Sequence, residues 1–186
     1  MSTAIAAVVA GRRREALDAA DPPGAAQRDH QRALVALVLN AIWGGAGLIV
    51  TTTVAPAAFR VLPTRSLAGA LVGQVLPVLF IAGIVVGTAT VVLTTRRAQF
   101  VALRRLAGAG TLLGCAVAQA VIGPRIAALR ERIGPSIEAL ATTDPLRMEF
   151  GRLHGFSVLA LGVGMVFALV SLIATFAVVR RAPARH

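Results

Sequence analysis

The sequence predicts an all-α integral membrane protein: a four-helix bundle whose third and fourth helices extend beyond the bilayer. Three observations predict it. Charged residues make up only 15% of the 186-residue chain, against about a quarter in an ordinary soluble domain, and the mean hydropathy is +0.77. The charges are also segregated: residues 33–59, 67–95, 106–124 and 153–179 contain no Asp, Glu, Lys or Arg. A helix crossing ~30 Å of hydrocarbon needs about 20 mostly apolar residues, and each run reaches that length or falls one short. Buried helices of a soluble bundle would each need a polar face, which these runs lack. Strands of a membrane barrel would alternate over about ten residues, which these runs do not.

Residues 1–32 form an arginine-rich lead with Arg12, Arg13, Arg14, Arg28 and Arg32. Its apolar stretch, residues 4–10, is too short to span. The basic cluster follows that stretch, the reverse of a signal peptide. The lead reads either as a surface helix held by anionic headgroups or as a loose tail. Asp21-Pro22-Pro23-Gly24 breaks the chain ahead of the membrane domain, residues 33–180. The first two helices are expected at about 33–59 and 67–95. The third is expected at 103–133, because Ile126, Leu129, Ile133, Ile137 and Leu140 keep the helical spacing past the apolar run. A bend is expected at Gly134-Pro135. Thr143-Asp144-Pro145 reads as a helix start, with Asp144 as N-cap and Pro145 in the first turn. A helix over 145–180 is about 54 Å long at 1.5 Å per residue, so helices three and four should form a hairpin projecting on the non-cytoplasmic side. Residues 181–186 are a short tail.

Arginine supplies all 19 basic charges; there is no lysine. A pI near 12.0 would suit a nucleic-acid binder, but the arginines flank the apolar runs, and no nucleic acid is expected. The lead, the second connection (Arg96, Arg97, Arg104, Arg105) and the C-terminus (Arg180, Arg181, Arg185) outweigh the first connection (Arg60, Arg65) and the third (Arg125, Arg130, Arg132, Arg147, Arg152). Positive-inside bias therefore puts both termini in the cytoplasm, in a bacterial inner membrane.

Packing is expected from small residues four apart: Gly69 and Gly73, Gly83 and Gly87, Gly110 and Gly114, Gly151 and Gly155. Such stripes let helix backbones approach closely in lipid. Asn40, Gln74 and Gln119 are the amides at depth and read as cross-helix hydrogen-bonding groups.

Residues 54–60 read V-A-P-A-A-F-R, at the end of a helix containing Trp43-Gly44-Gly45. Leu67-Ala68-Gly69 opens the next helix, and Phe150-Gly151-Arg152-Leu153-His154-Gly155-Phe156-Ser157 heads the last. Over roughly residues 34–176 this arrangement resembles the transmembrane protein 205-like family, which occurs in bacteria as a membrane domain of unknown function. Its specific elements are carried here by Ala55, Pro56, Phe59, Leu153 and His154. The resemblance implies four helices and no established chemistry; the arginine-rich lead departs from it.

The apolar runs hold no ionisable residue at depth except Cys115 and His154. That argues against a proton pump, an intramembrane protease or a carboxylate-driven transporter. One cysteine gives no disulfide and no thiolate metal site. His30 and His186 lie on the opposite predicted face from His154, so no metal cluster or bis-His haem is expected. No cofactor is expected. A pigment or haem shared with another subunit is the one cofactor role open to His154; the alternative is a ring bonded to a nearby carbonyl or carboxylate. Arg60, Arg125, Arg152 and His154 should gather at one interface as an ion-paired collar with Glu149, or as a site for anionic headgroups or a partner loop. Trp43 is assigned with them to lipid or partner contact, packing inside the bundle being the alternative. No enzyme activity is expected. The chain reads as a non-catalytic accessory subunit of a larger membrane complex, respiratory or photosynthetic in type. Its partners would be membrane lipids and other membrane subunits. The alternative is an oligomeric small transporter or channel component, using Asn40, Gln74, Gln119 and Thr51 to Thr53.

Overall fold

The computed structural model describes residues 24–95 and 99–181. They form four long helices and no strand: α1 (Ala25–Val61), α2 (Arg65–Leu93), α3 (Val101–Ile133) and α4 (Pro145–Arg181). All four are long and apolar enough to cross a membrane, which makes the chain an integral multi-pass membrane protein. The helices form a ring in which α1 packs on α2 and α4, and α3 packs on α2 and α4; α2 and α4 barely touch. One end of the bundle, the terminal end, carries both chain ends and the α2–α3 connection. The other, the hairpin end, carries the α1–α2 and α3–α4 connections. Arg12, Arg13, Arg14, Arg96, Arg97, the stretch 4–10 and the tail 182–186 lie outside the described residues.

The first helix starts at Ala25, eight residues before the expected boundary, directly after Gly24, whose φ of 80° ends the breaker. Two prolines shape the helices. In an α-helix Pro56 would clash with the carbonyl of Thr52, and Pro124 with that of Ala120. In each case the helix widens just ahead of the proline. The N–H of Ala55 reaches back five residues to the Val50 carbonyl, and that of Gly123 to the Ala118 carbonyl. The π-turns Val50–Val54 and Ala118–Ile122 are the result.

At the closest seam α2 and α3 bring backbone to backbone. A Cβ on Gly87 would lie 2.6 Å from the Leu112 nitrogen and 2.7 Å from the Gly108 carbonyl. A Cβ on Gly114 would lie 3.0 Å from the Ala160 carbonyl of α4, and one on Gly110 would enter the Phe167 ring. The hollow at Gly83 receives the Trp43 indole and the Cys115 sulfur. Trp43 is therefore a core residue, only 3% exposed, packed with Leu79, Phe80 and Leu161, and its Nε1 donates to the Leu79 carbonyl at 2.8 Å. This corrects its assignment to lipid or partner contact: the Gly83 gap is shaped for the ring. Gly151 and Gly155 are corrected too. Both are exposed with nothing within 4 Å of a built Cβ, so they are not part of a seam inside the chain.

The α3–α4 hairpin does not stand free. Asp144 caps α4 as expected, its Oδ1 accepting from the Leu146 N–H at 2.8 Å. But α3 ends at Ile133, where Gly134 (φ 82°) turns the chain and Pro135 prevents continuation, so no bent helix passes through that dipeptide. The connection folds back onto the head of α2. There the Glu138 carboxylate accepts from the N–H groups of Arg65 (2.6 Å) and Ser66 (3.2 Å) and from the Ser66 hydroxyl (2.9 Å). Thr64 takes the N–H of Leu67. The first three N–H groups of α2 are thus all satisfied.

Two outcomes follow from this packing. Gly87→Val should cost about 1–3 kcal/mol or more by overpacking against backbone, whereas Gly151→Ala should leave the melting temperature in mild detergent unchanged or slightly raised. Equal losses for the two variants would contradict the seam. The second concerns Glu138, whose pKa is held below the usual carboxylate value. The Ser66 hydroxyl hydrogen bond is the largest cause; desolvation, next in size, opposes it, and the Arg65 N–H, Ser136 hydroxyl and Ser66 N–H reinforce it. A carboxyl depressed in the folded state stabilises above its unfolded value of about 4.3 and loses that contribution as pH falls through the folded value. Glu138→Gln should therefore melt below the wild type at pH 7, and the gap should close as pH falls below about 4. A gap that persists unchanged into acid would show that the carboxylate charge is not what caps α2.

Candidate functional site

Two polar constellations sit in the bundle. At the hairpin end, Arg130 of α3 crosses to α2, and its Nη2 donates to the Gly69 carbonyl at 2.8 Å. Its guanidinium occupies the space a side chain would need at Gly73, with Nη1 3.0 Å from a built Cβ. The same guanidinium lies 5.5 Å from the Phe150 ring centroid, and Phe150 is parallel to the His154 ring at 6.4 Å. Gly69 and Gly73 were expected to seat a helix. They seat an arginine, because a bare backbone groove also fits a planar cation, and an aromatic face completes the holder.

Beside this stack a cavity of about 170 Å³ lies between α1, α2 and α4, lined by Thr51, Phe59, Val72, Phe80, His154 and Ser157 among others. Ligand pockets usually begin near 300 Å³, so this one suits the end of an acyl chain or a short side chain. His154 is exposed and ring-stacked, with no hydrogen bond to a carbonyl or carboxylate among the described residues.

Arg60, Arg125 and Arg152 all lie toward the hairpin end but on three different helices, each exposed and none in contact with the others. The ion-paired collar does not form: among the described residues the only ion pair is Arg32–Asp29, 3.5 Å apart near the start of α1. Gln74 points outward and Gln119 is half-buried, and neither makes a side-chain hydrogen bond among the described residues. Thr51 and Thr52 return their hydroxyls to carbonyls of their own helix. Of the three amides only Asn40 works across helices, donating to Thr90 Oγ1 of α2 and to its own Ala36 carbonyl, both at 2.8 Å. Register explains the difference: Asn40 lies on the buried stripe with Ala33, Ala36, Trp43 and Gly47, and Gln74 does not share α2's.

The second constellation is at the terminal end, and the sequence reading missed it. Asn40, Thr90, Thr94, Arg104, Thr111 and Thr175, from all four helices, are buried. Arg104 is only 1% exposed, and its Nε donates to Thr175 Oγ1 at 3.0 Å. Arg105 donates twice to the Thr94 carbonyl, at 2.8 and 3.1 Å, where α2 ends. Thr111 donates to the Gly164 carbonyl of α4 at 3.2 Å. Among the described residues three buried atoms find no partner: Asn40 Oδ1, Arg104 Nη2 and Ser171 Oγ. Arg104 had been counted as a flanking charge. The signal that could have placed it inside is its spacing of three, four and seven from Ala107, Gly108 and Thr111, a face of small residues.

Residues 38–134, just over half of the chain, match a family model described as a domain of unknown function, DUF4149. The chain belongs to the DUF4149 family. No curated protein and no solved structure matches it. The DUF4149 stretch contains Asn40, Trp43, the Gly87 seam, Arg104 and Arg130; His154, Ser171 and Thr175 lie beyond it on α4.

The Arg130 seat is open to a coupled test. Gly73→Val should destabilise by about 1–3 kcal/mol, because it evicts the guanidinium. Arg130→Met should relieve most of that penalty in the double variant, read by thermal melts in detergent. Strictly additive losses would show that the guanidinium does not depend on the bare groove.

Proposed function

We propose that this DUF4149 protein is a non-catalytic accessory subunit of a larger membrane assembly. One observation carries the reading: exposed recognition groups that the fold does not use gather toward the hairpin end. Arg60, Arg125 and Arg152 are exposed cations with no acid against them among the described residues. Gly151 and Gly155, beside Arg152, leave the surface of α4 bare. A flat small-residue strip with cations around it suits a partner helix with an acidic loop, and anionic lipid headgroups would fill the remaining cations. The resemblance to the transmembrane protein 205-like family accompanies this reading: Ala55, Pro56 and Phe59 fall inside the DUF4149 stretch, while Leu153 and His154 do not. The cavity at His154 favours an acyl chain over a pigment or haem by its size. The arginines of the lead and tail support cytoplasmic termini in a bacterial inner membrane.

The transporter alternative is weaker. Of its candidate polar groups, Gln74, Thr52 and Thr53 face outward on single helices, the Thr51 hydroxyl is bonded to its own helix, and Asn40 is engaged with Thr90.

Extraction into native lipid particles tests the reading. The wild type is expected to be recovered with other membrane subunits. The variant with Arg60→Glu, Arg125→Glu and Arg152→Glu is expected to be recovered alone with an unchanged melting temperature. Wild type recovered as a stable lone monomer would overturn the proposal.

A further inference from the structure

The cavity beside His154 exists because α1 changes partners. Over Ala25–Ile49 the helix packs on α4. Beyond the π-turn that accommodates Pro56, Ala55–Val61 rests on α2 instead. Since α2 and α4 barely touch, an opening remains between α1 and α4. Its mouth is made by exposed residues, Phe59 on α1 with His154 and Val158 on α4, so it opens sideways. Its floor is buried: Val72 and Phe80 of α2 and Leu161 of α4. Phe59 is the last residue of the first charge-free run and His154 the second of the fourth, which puts the mouth at the hydrocarbon boundary. Leu161 is seven residues further along α4, about 10 Å deeper at 1.5 Å per residue. Two polar side chains of α4 line this largely apolar space, and the fold uses neither. His154 and Ser157 are three residues apart and share a helix face. Ser157 is only 6% exposed. Thr90, Thr94 and Thr111 each return the hydroxyl to a carbonyl one turn back. The Ser157 hydroxyl and the His154 ring make no hydrogen bond among the described residues. The segments outside the described residues join the chain at the terminal end, and the hairpin end is described throughout.

We propose that the cavity holds the upper part of one acyl chain of a membrane phospholipid, its ester carbonyl accepting from Ser157 and His154 at the mouth. An apolar cavity of about 150 Å³ takes a body the size of benzene. The cavity here, about 170 Å³, takes a short stretch of chain and leaves the headgroup outside. An ester-linked chain presents its groups in the order the cavity does, with the acceptor at the hydrocarbon boundary and the hydrocarbon beneath. An ester has acceptors and no donor, which matches a hydroxyl and a ring N–H. A water molecule at the same two groups would find no further polar partner on the apolar floor. The exposed Arg60, one residue nearer the hairpin end than Phe59, has the charge that suits a phosphate outside the mouth. The proposal rests on the lipid contact in the accessory-subunit reading and needs no partner subunit.

Trp43 is a built-in reporter: it is the chain's only tryptophan, and it packs with the floor residues Phe80 and Leu161. The full chain, delipidated in an uncharged detergent, is titrated with phosphatidylglycerol brominated at mid-chain, which quenches the indole on close approach. Quenching is expected to saturate, and unbrominated phosphatidylglycerol to reverse it. The ether-linked analogue, with the same chains and headgroup but no carbonyl, should need a several-fold higher concentration to reverse it. Ser157→Phe, which fills the mouth, should abolish the saturable quenching while its circular dichroism stays that of the wild type. Ser157→Ala and His154→Phe, the latter keeping a ring against Phe150, should each weaken binding several-fold. The double variant should no longer distinguish ester from ether. Quenching that rises without saturation, or is the same in wild type and Ser157→Phe, would overturn the proposal, since lipid would then be colliding from outside. So would equal competition by ester and ether lipids in the wild type. If Ser157→Phe does not fold, undiminished binding by Ser157→Ala is the overturning result. The measurement involves no other subunit, so recovery of the chain alone from native lipid particles would defeat the accessory-subunit reading and leave saturable quenching standing.

Discussion

The bundle depends on α2 and α3 touching backbone to backbone at Gly87. In lipid no hydrophobic force draws helices together, so association rests on close packing and the few hydrogen bonds that packing permits. The contact at Gly87 brings Thr90, one turn on, against Gly108, where a Cβ would lie 3.0 Å from the threonine side chain. Thr90 so placed accepts from Asn40 and ties α1 to the same level. One turn the other way, the absent side chain of Gly83 makes the hollow that Trp43 fills, and the indole N–H then needs the Leu79 carbonyl it finds. One steric condition on two helices thus sets the position of the third. Thr111, a turn beyond Gly108, extends it to the fourth through the Gly164 carbonyl.

The same helix, α2, is held at both ends by charges from elsewhere. Glu138 accepts from its first N–H groups, and Arg105 donates to the Thr94 carbonyl at its end. Each charge has the sign the helix dipole favours at that terminus. Both come from segments linked to α3: the loop that leaves it and the turn that starts it. The α2–α3 pair is therefore closed at its two ends by ions and along its length by glycine.

The architecture was legible because hydrocarbon imposes a length and excludes charge, and both constraints act on composition alone. Four runs, the Asp144 cap and the end of α4 near Arg180 could be read without knowing any neighbour. What the sequence did not reveal is which way each residue faces. The four glycine pairs share one spacing and have different fates: Gly83 and Gly87 face Trp43 and the α3 backbone, Gly69 and Gly73 face a guanidinium, and Gly151 and Gly155 face nothing in the chain. Spacing defines a stripe, and only the rotation of the helix about its axis says what the stripe meets. Gln74 and Asn40 differ for that reason alone. The loop between α3 and α4 was hidden for another reason: the length of α4 was read correctly, but the reach of Glu138 back to Arg65 is a contact between residues 73 positions apart.

Arg104 and Arg105 show how far a charge count can mislead. They are adjacent, equally basic, and indistinguishable to a rule that sums arginines beside a span. On a helix they point about 100° apart. Arg105 faces the end of α2 and caps it, as a flanking arginine should. Arg104 falls in line with Ala107, Gly108, Thr111, Cys115 and Ala118, every one of them buried. That line is the small-residue face with which α3 packs, and a face of that kind has no exit for a long side chain except along the bundle. The apolar run seemed to begin at Leu106 because its counting stopped at the last charge. The buried face begins a turn earlier, and the cation lies on it. An arginine at the head of a small-residue stripe is therefore better read as part of the interior than as part of the flank.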